Sequence, residues 1–543
     1  MDQSADTGLQ YSIDRIVVSG KRVFGWGWAA HRSRALRAVN LHLEGKDWEL
    51  SVPTSFGLAR DDVERAFPGH VNAASSGFVV AGHIPQAPAR RSWLEFEFEQ
   101  GGAARIEVTH LIDNRYSQRT RFRQIGWIAQ SVWRRLKHGD LLGIVRRATA
   151  QAYAVASMSD VKVIDELLKI LAGSRRICMI FDHNMGGGAN QYRRNVIAER
   201  IAAGEDVLLC TYNLPVLEYR LHLFRPGPED QVFRISSFTL LERLLEELAI
   251  AEIFVNSPVS FDEPLLLAEW LARMRTEHPE VRLTVTAHDY FSVCPSFVLL
   301  NADGRYCGIP DISECAACLK RHPGSNVALS PPTEIGPWRA LWGRCLHTAD
   351  EVRFFSESTR KHFLRAYPTL PLERLTVVPH RSNYVPQRLP RPDARAPLVI
   401  GVLGEISLHK GASILKEMTR LIEASGANVR IVVLGTLQTA LDSDSLTVTG
   451  AYDRAHLVDL IEKHGINVFL FPSIWPETFS YVVAELIALA MPVVAFDLGA
   501  PGERLRQYPK ARMCRETSAQ AALATLVEFH RELALAPAAA ASN

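Results

Sequence analysis

The rhythm of polar and apolar positions changes three times along the chain. Over residues 11–110 short runs alternate with period two, as in RVFGWGWA, VNLHLEG, GFVVAGHI and WLEFEFEQ, and Gly, Pro and Asn separate them. Period two is the spacing of a strand with one buried face, so a small all-β sandwich domain is expected over 1–112. In its first run Phe24, Trp26 and Trp28 share one face, with Gly25 and Gly27 opposite. A one-sided aromatic stripe reads first as the domain's own core, and stacking on a sugar ring is the alternative.

Between Arg115 and Arg147 the period lengthens. Ile125, Ile128, Val132, Trp133 and Leu136 recur at three and four, the stripe of an amphipathic helix. Around them stand Arg119, Arg121, Arg123, Arg134, Arg135, Lys137, Arg146 and Arg147 against one acid, Asp140. A basic helical connector is therefore expected over 113–174. It either lies on an anionic membrane surface or packs as a linker on its neighbour.

From residue 175 short, wholly apolar runs alternate with helical stretches, the pattern of parallel strands buried on both faces. One α/β domain is expected over 175–385, with strands at Ile177–Phe181, Val207–Cys210, Ile253–Val255 and Leu283–Thr286. The proline-rich stretch SNYVPQRLPRPDARAP reads as a hinge. A second α/β domain follows over 386–535, with strands at Leu398–Leu403 and IVVLG and a last helix over Ser518–Leu533. The alanine-rich tail 536–543 is expected to be disordered.

The densest stretch is 466–503, INVFLFPSIWPETFSYVVAELIALAMPVVAFDLGAPGERL. Val468–Phe471 reads as a buried strand, Ser480 as the N-cap of a helix from Tyr481, and Pro492 as its stop before the strand Val493–Phe496. Such units bind ligands at the carboxyl ends of their strands, where helix amides receive phosphate. Glu477 stands in the loop and Glu485 inside the helix. Two carboxylates repel phosphate but accept strongly from hydroxyls, and sugar and ribose are rows of hydroxyls.

Other candidate groups lie where strands end. Gly186, Gly187 and Gly188 allow close backbone approach after the first strand, but lack the spacing of a dinucleotide fingerprint. His288 at a strand end either donates to a sugar hydroxyl or is bonded to a loop carbonyl. GEISLHKG, Gly404 to Gly411, places Lys410 at a helix entrance as a diphosphate cation. Cys294, Cys307, Cys315 and Cys318 fall close together and end in a C-x-x-C, so they either hold a structural zinc or are small buried hydrophobes. Asp442 and Asp444, in the polar turn LDSDS, read as solvent-exposed.

The stretch PSIWPETF, the two acids seven residues apart and the exit strand PVVA resemble the retaining glycosyltransferases of family 4. The triple glycine, HDYFSVCPS and Lys410 are further points of likeness, together covering roughly residues 175–535. The resemblance implies a GT-B fold of two Rossmann-like domains, here preceded by the β domain and the connector. It implies that Glu477 holds the donor sugar, Glu485 the ribose, and His288 the donor near the reacting carbon. It implies that Gly187, Gly188, Gly404, Phe479, Ser480 and Tyr481 border a nucleotide-sugar donor, with no cofactor needed for catalysis. Family members often carry an Arg after the first glycine of the 404–411 loop; here that place is Glu405. A catalytically inactive protein that binds nucleotide sugar or glycan is therefore the alternative to a transferase.

Composition narrows the setting. With 61 Lys and Arg against 59 Asp and Glu, the formal charge of +2 offers no field to draw in nucleic acid. Eight cysteines and the polar start MDQSADTGLQ point to a reducing, cytoplasmic setting, and no stretch approaches the ~20 apolar residues of a membrane span, so membrane contact would be peripheral, on the inner face. The expected acceptor is a glycan or lipid-linked glycan.

Overall fold

The computed structural model describes residues 8–19, 22–58, 60–83, 89–108, 112–113, 158–174, 176–184, 186–213, 217–226, 231–235, 237–321, 334–380, 382, 384–438 and 443–535. The basic connector between Arg115 and Arg147, Asp442 and the tail lie outside these residues; Asp444 is exposed. The chain separates into two compact units, residues 1–286 with 323–352, and residues 287–322 with 353–543.

In the first unit the alternating segments form β1 (Leu9–Ser19), β2 (Arg22–His31), β3 (Leu36–Glu44), β4 (Glu49–Leu58), β5 (Gly77–His83), β6 (Arg91–Phe98), β7 (Ala103–Glu107) and β8 (Ile112–Asp113). They make one continuous sheet in the order β7-β6-β3-β4-β5-β2-β1-β8, antiparallel except for the pair β1–β8. The rings of Tyr11 in β1 and Phe96 in β6 lie 5.9 Å apart although four strands separate them, so the sheet folds over on itself around a shared core.

The aromatic stripe of β2 falls on the other side from the one expected. Gly25 and Gly27 face the core: a Cβ at Gly25 would lie 2.7 Å from the Ile16 side chain, and one at Gly27 2.7 Å from the Phe78 ring. Phe24, Trp26 and Trp28 stand half-buried on the opposite face, where Trp28 packs on Phe67 at 5.3 Å. The glycines let neighbouring side chains close over the strand, so the face without side chains is the packed one.

The α/β part of this unit carries β9 (Ile177–Asp182), β10 (Asp206–Asn213), β11 (Glu218–Phe224), β12 (Gln231–Ile235), β13 (Ile250–Ser257) and β14 (Arg282–Thr286), in the order β12-β11-β10-β9-β13-β14. β10, β9, β13 and β14 run parallel. β11 and β12 extend the sheet as antiparallel strands, an addition to the strands read from the sequence.

The second unit holds β15 (Glu351–Phe354) only from Arg353 on, then β16 (Leu375–Val377) and a parallel sheet of β17 (Val399–Ile406), β18 (Arg430–Leu437), β19 (Leu446–Val448), β20 (Val468–Phe471), β21 (Val493–Phe496) and β22 (Ala511–Cys514). Its order, β19-β18-β17-β20-β21-β22, reverses between β17 and β20, the doubly wound arrangement of a Rossmann-like sheet. Alternate residues feed two cores, with Ile400, Val402, Val468 and Leu470 on one face and Val399, Leu403, Phe469 and Phe471 on the other. Burial on both faces is why these strands are apolar without a break. No helix among the described residues is long and apolar enough to cross a membrane.

Candidate functional site

Ligands of open α/β sheets sit beyond the carboxyl ends of the strands where the order reverses. In the second unit that point lies between β17 and β20, so the two loops meeting there are 407–411 and 472–480. The first carries Lys410 and the second Glu477.

The Glu477 loop is fastened through its main chain. Ile474 N donates to His409 O at 3.1 Å, and Ala500 N donates to Glu477 O at 2.8 Å. Tyr290 Oη donates to Pro476 O at 2.8 Å, and Thr478 Oγ1 donates to His288 O at 2.8 Å. Two glycines make room. At Gly411, whose φ is +93°, a Cβ would lie 2.2 Å from Pro472 O; at Gly499, φ +58°, it would lie 2.5 Å from Glu477 O. For Gly411→Ala we expect a left-handed penalty of about 1–2 kcal/mol plus the clash, read as a lower urea midpoint. An unchanged midpoint would show that the loop does not depend on this approach.

Glu477 is 7% exposed. Burial raises the pKa of its carboxyl; the neighbouring Lys410 charge and the Ser473 and Trp475 side chains act the other way. The acid is thus held between desolvation and a cation, a pairing poised for hydrogen-bond donors. Behind it Ser480 caps the helix Tyr481–Ala488 by accepting from Val483 N at 3.3 Å, as the sequence predicts. Gly404, two residues before the end of β17, has φ +107°, and a Cβ there would lie 3.4 Å from Val482 in the first turn of that helix. Its partner in β18 is Gly435, where a Cβ would lie 2.0 Å from Gly404 O, so bare main chain forms this part of the strand ends.

Glu485 is 1% exposed and burial raises its pKa, against the lowering effect of Arg454. Arg454 Nε stands 2.9 Å from its Oε1, while the Arg454 side chain itself is 58% exposed. Tyr384 and Tyr452 lie close enough for the Glu485 charge to raise their pKa values. Nothing in the periodicity marks Arg454, which sits in a short exposed turn.

His288 is stacked on Phe355 at 4.4 Å and near His380 at 5.3 Å. His380 in turn stacks on Phe355 at 4.0 Å and meets Phe479 edge-on at 4.7 Å and Tyr481 at 5.6 Å. The second unit therefore brings His288, Phe479 and Tyr481 into one aromatic cluster built around His380, which sequence reading passed over. Its one signal is its place just past the run LTVV, as His288 lies just past β14.

The glycine loop belongs to the first unit. Gly186 and Gly187 have φ of +83°, and Gly187 and Gly188 open the helix Gly187–Ala202. Fully buried Asp182 sets the loop's start by accepting from Asn190 Nδ2 at 3.0 Å, Arg193 Nη1 at 2.8 Å and His183 N at 2.9 Å.

Of the four cysteines, Cys315 and Cys318 lie close enough to Cys307 for their charges to raise its pKa. Among the described residues no three His, Cys, Asp or Glu side chains are grouped so as to hold a metal ion. Cys315 Sγ donates to Pro310 O at 3.5 Å, Cys318 Sγ accepts from Ala302 N at 3.3 Å, and burial pushes the Cys307 thiol up, which favours its protonated form. Cys315 is buried, and Cys294, Cys307 and Cys318 are partly buried.

No curated protein matches the chain. Among solved structures, Anabaena HepE in complex with UDP and glucose is 14% identical, over 65% of this chain and 89% of that one, with a TM-score of 0.39. The lipopolysaccharide outer core galactosyltransferase WaaB in its apo form is 10% identical over 66% and 89%, with a TM-score of 0.38. A glycosyltransferase from Rickettsia africae is 12% identical over 66% and 88%, with a TM-score of 0.38. Residues 391–532 match the family model for glycosyl transferases group 1, and the chain has the GT-B-like fold of Rossmann-like parallel sheets with an antiparallel β region ahead of them.

Proposed function

We propose that the protein is a retaining glycosyltransferase of family 4 type. It would move a sugar from a nucleotide-sugar donor to a glycan or lipid-linked glycan acceptor in surface polysaccharide assembly, at the cytoplasmic membrane face. One observation carries the reading: the strand order reverses where buried Glu477 lies within reach of the Lys410 charge, and Glu485 follows on the helix behind it. In this reading Glu477 accepts from donor sugar hydroxyls and Glu485 from the ribose. The diphosphate lies at the N-terminus of the helix Tyr481–Ala488, whose amides and Lys410 stabilise the charge that grows on the leaving group. The acceptor hydroxyl attacks from the face the leaving group departs, and the departing phosphate takes its proton. His288 would border the reacting carbon. The basic segment between Arg115 and Arg147 would supply contact with anionic lipid.

The test is a thermal-shift screen over nucleoside diphosphates and their sugars. A rise in melting temperature with one base, larger when its sugar is attached, names the donor; no rise with any of them sinks the reading. Exposed Glu405, where a cation would serve the phosphates, favours the second reading of binding without turnover. Hydrolysis of the stabilising donor in the absence of acceptor eliminates it.

The Arg454–Glu485 contact gives a prediction of its own. Arg454 lowers the Glu485 pKa that burial raises, so it helps keep the carboxylate ionised. In Arg454→Met the carboxyl titrates at higher pH, and donor affinity, which needs the ionised form, should begin to fall at a higher pH than in the wild type. Donor dissociation constants measured between about pH 5.5 and 8.5 check it. Superimposable pH profiles would remove Arg454 from the site.

A further inference from the structure

We propose that Tyr290, fed by His362 and Tyr306, is a positioning residue that fixes the peptide ahead of Glu477. The inference rests on the assignment of Glu477 to the donor sugar. Proline has no N–H, so at position 476 the carbonyl is the only main-chain group by which the loop can be gripped. Tyr290 Oη grips it at 2.8 Å. Turning that peptide plane would swing the Glu477 Cα–Cβ bond, because the two residues share it. On the other side of Glu477, its carbonyl is held by Ala500 N at 2.8 Å. The acid is therefore anchored before and behind.

The hydrogen-bond directions follow from proton counting. A carbonyl only accepts, so the single Tyr290 hydroxyl proton points to Pro476 O. His362 Nδ1, 3.3 Å from Tyr290 Oη, is then assigned as a donor to it, with the Ser358 backbone also bonded to His362 and Thr359 a further side-chain partner of the hydroxyl. This leaves Nε2 of the imidazole as an acceptor, and Tyr306 Oη, which lies against it, donates there. The chain runs one way, from Tyr306 through His362 and Tyr290 to Pro476. Burial lowers the His362 pKa and so favours the neutral ring this order needs.

Packing fixes the rings as well as the protons. Tyr290 is fully buried and meets His362 edge-on at 5.5 Å and Trp475 edge-on at 6.3 Å, and Tyr306 meets His362 edge-on at 5.8 Å. The Tyr290 main chain is set too, its N donating to Phe297 O at 2.9 Å and its O accepting from Val293 N at 2.8 Å. The hydroxyl thus reaches Pro476 from a rigid base.

Tyr290→Phe, His362→Leu, His362→Gln and the Tyr290→Phe/His362→Leu double variant test the chain by two readouts. One is amide hydrogen exchange at Ala500, which needs no ligand; the other is kcat and KM for donor hydrolysis over a panel of UDP-, GDP-, ADP- and dTDP-sugars. Tyr290→Phe and His362→Leu should each speed Ala500 exchange by ~10-fold or more. They should lower kcat by ~10-fold or more with donor KM changed less than ~3-fold, the split a loosened carboxylate gives and a general loss of stability does not. His362→Gln, which can donate with one side-chain atom and accept with the other, should behave as wild type. The double variant should be no worse than Tyr290→Phe. Wild-type exchange in folded Tyr290→Phe or His362→Leu overturns the proposal, and so does a double variant whose loss is the product of the singles. If Tyr290→Phe does not fold, the contrast between His362→Leu and His362→Gln decides. If Glu477→Ala hydrolyses donor at the wild-type rate, the assignment of Glu477 fails; if it is dead while Tyr290→Phe and His362→Leu are normal, only the chain fails.

Discussion

Glu477→Ala is expected to lower sugar transfer by about 10²–10³-fold or more while the protein still folds. The size follows from where the acid sits. It is buried within reach of the Lys410 charge, where a charge-assisted hydrogen bond to a donor hydroxyl would meet little competition from water. Folding should survive because the loop is held by peptide groups and by Tyr290 and Thr478, none of which the substitution removes. Burial also opposes the charge on this carboxyl, so deleting it relieves a desolvation cost. Glu477→Gln separates shape from charge: it should bind and fold like the wild type yet turn over almost as poorly as Glu477→Ala. Retained turnover in Glu477→Ala with a normal melting curve would refute the donor-sugar assignment.

The second large effect concerns acid stability. Burial holds His380 down to about 4, and burial with the Lys410 charge holds His409 down to about 4. An unfolded chain protonates histidine near 6.5, so between the two values it binds protons that the folded chain refuses. The contribution of each ring is fully present above pH 6.5 and is lost as pH falls toward 4, by roughly 3 kcal/mol apiece at most. Glu477 and Glu485, whose pKa values burial raises, act in the opposite sense as they take up protons, so the wild-type curve alone does not isolate the histidines. His380→Phe does. It keeps a ring to stack on Phe355 and Phe479 and removes the titration. Its urea midpoint should hold up better than the wild type's on going from about pH 7 to about pH 4.5. Parallel decline in the two proteins would show that His380 is not carried neutral in the fold.

How far the sequence could be read depended on whether a feature was local. The strand, capped helix and strand of 468–496 were legible because Ser480, Pro492 and the apolar runs each mark a boundary. β12 and β22 were not, since QVFRI and ARMC lie at sheet edges with few buried positions and carry no clear alternation. Period two placed Phe24, Trp26 and Trp28 together correctly, but it does not say which face of a strand is covered; Ile16 and Phe78 closing over Gly25 and Gly27 decided that. Arg454 and His380 meet their partners across long stretches of chain, so no spacing rule could have placed them beside Glu485 and His288.

The fastening of the Glu477 loop by its own peptides has a consequence for how such a protein can diverge. Every amino acid offers the same carbonyl, and all but proline the same amide, so substitutions that respect Gly411, Gly499, Tyr290 and Thr478 leave the loop's course intact. Under the proposed function, a lineage could therefore exchange the side chains that would line the donor sugar, and with them its choice of sugar, on an inherited framework that stays still.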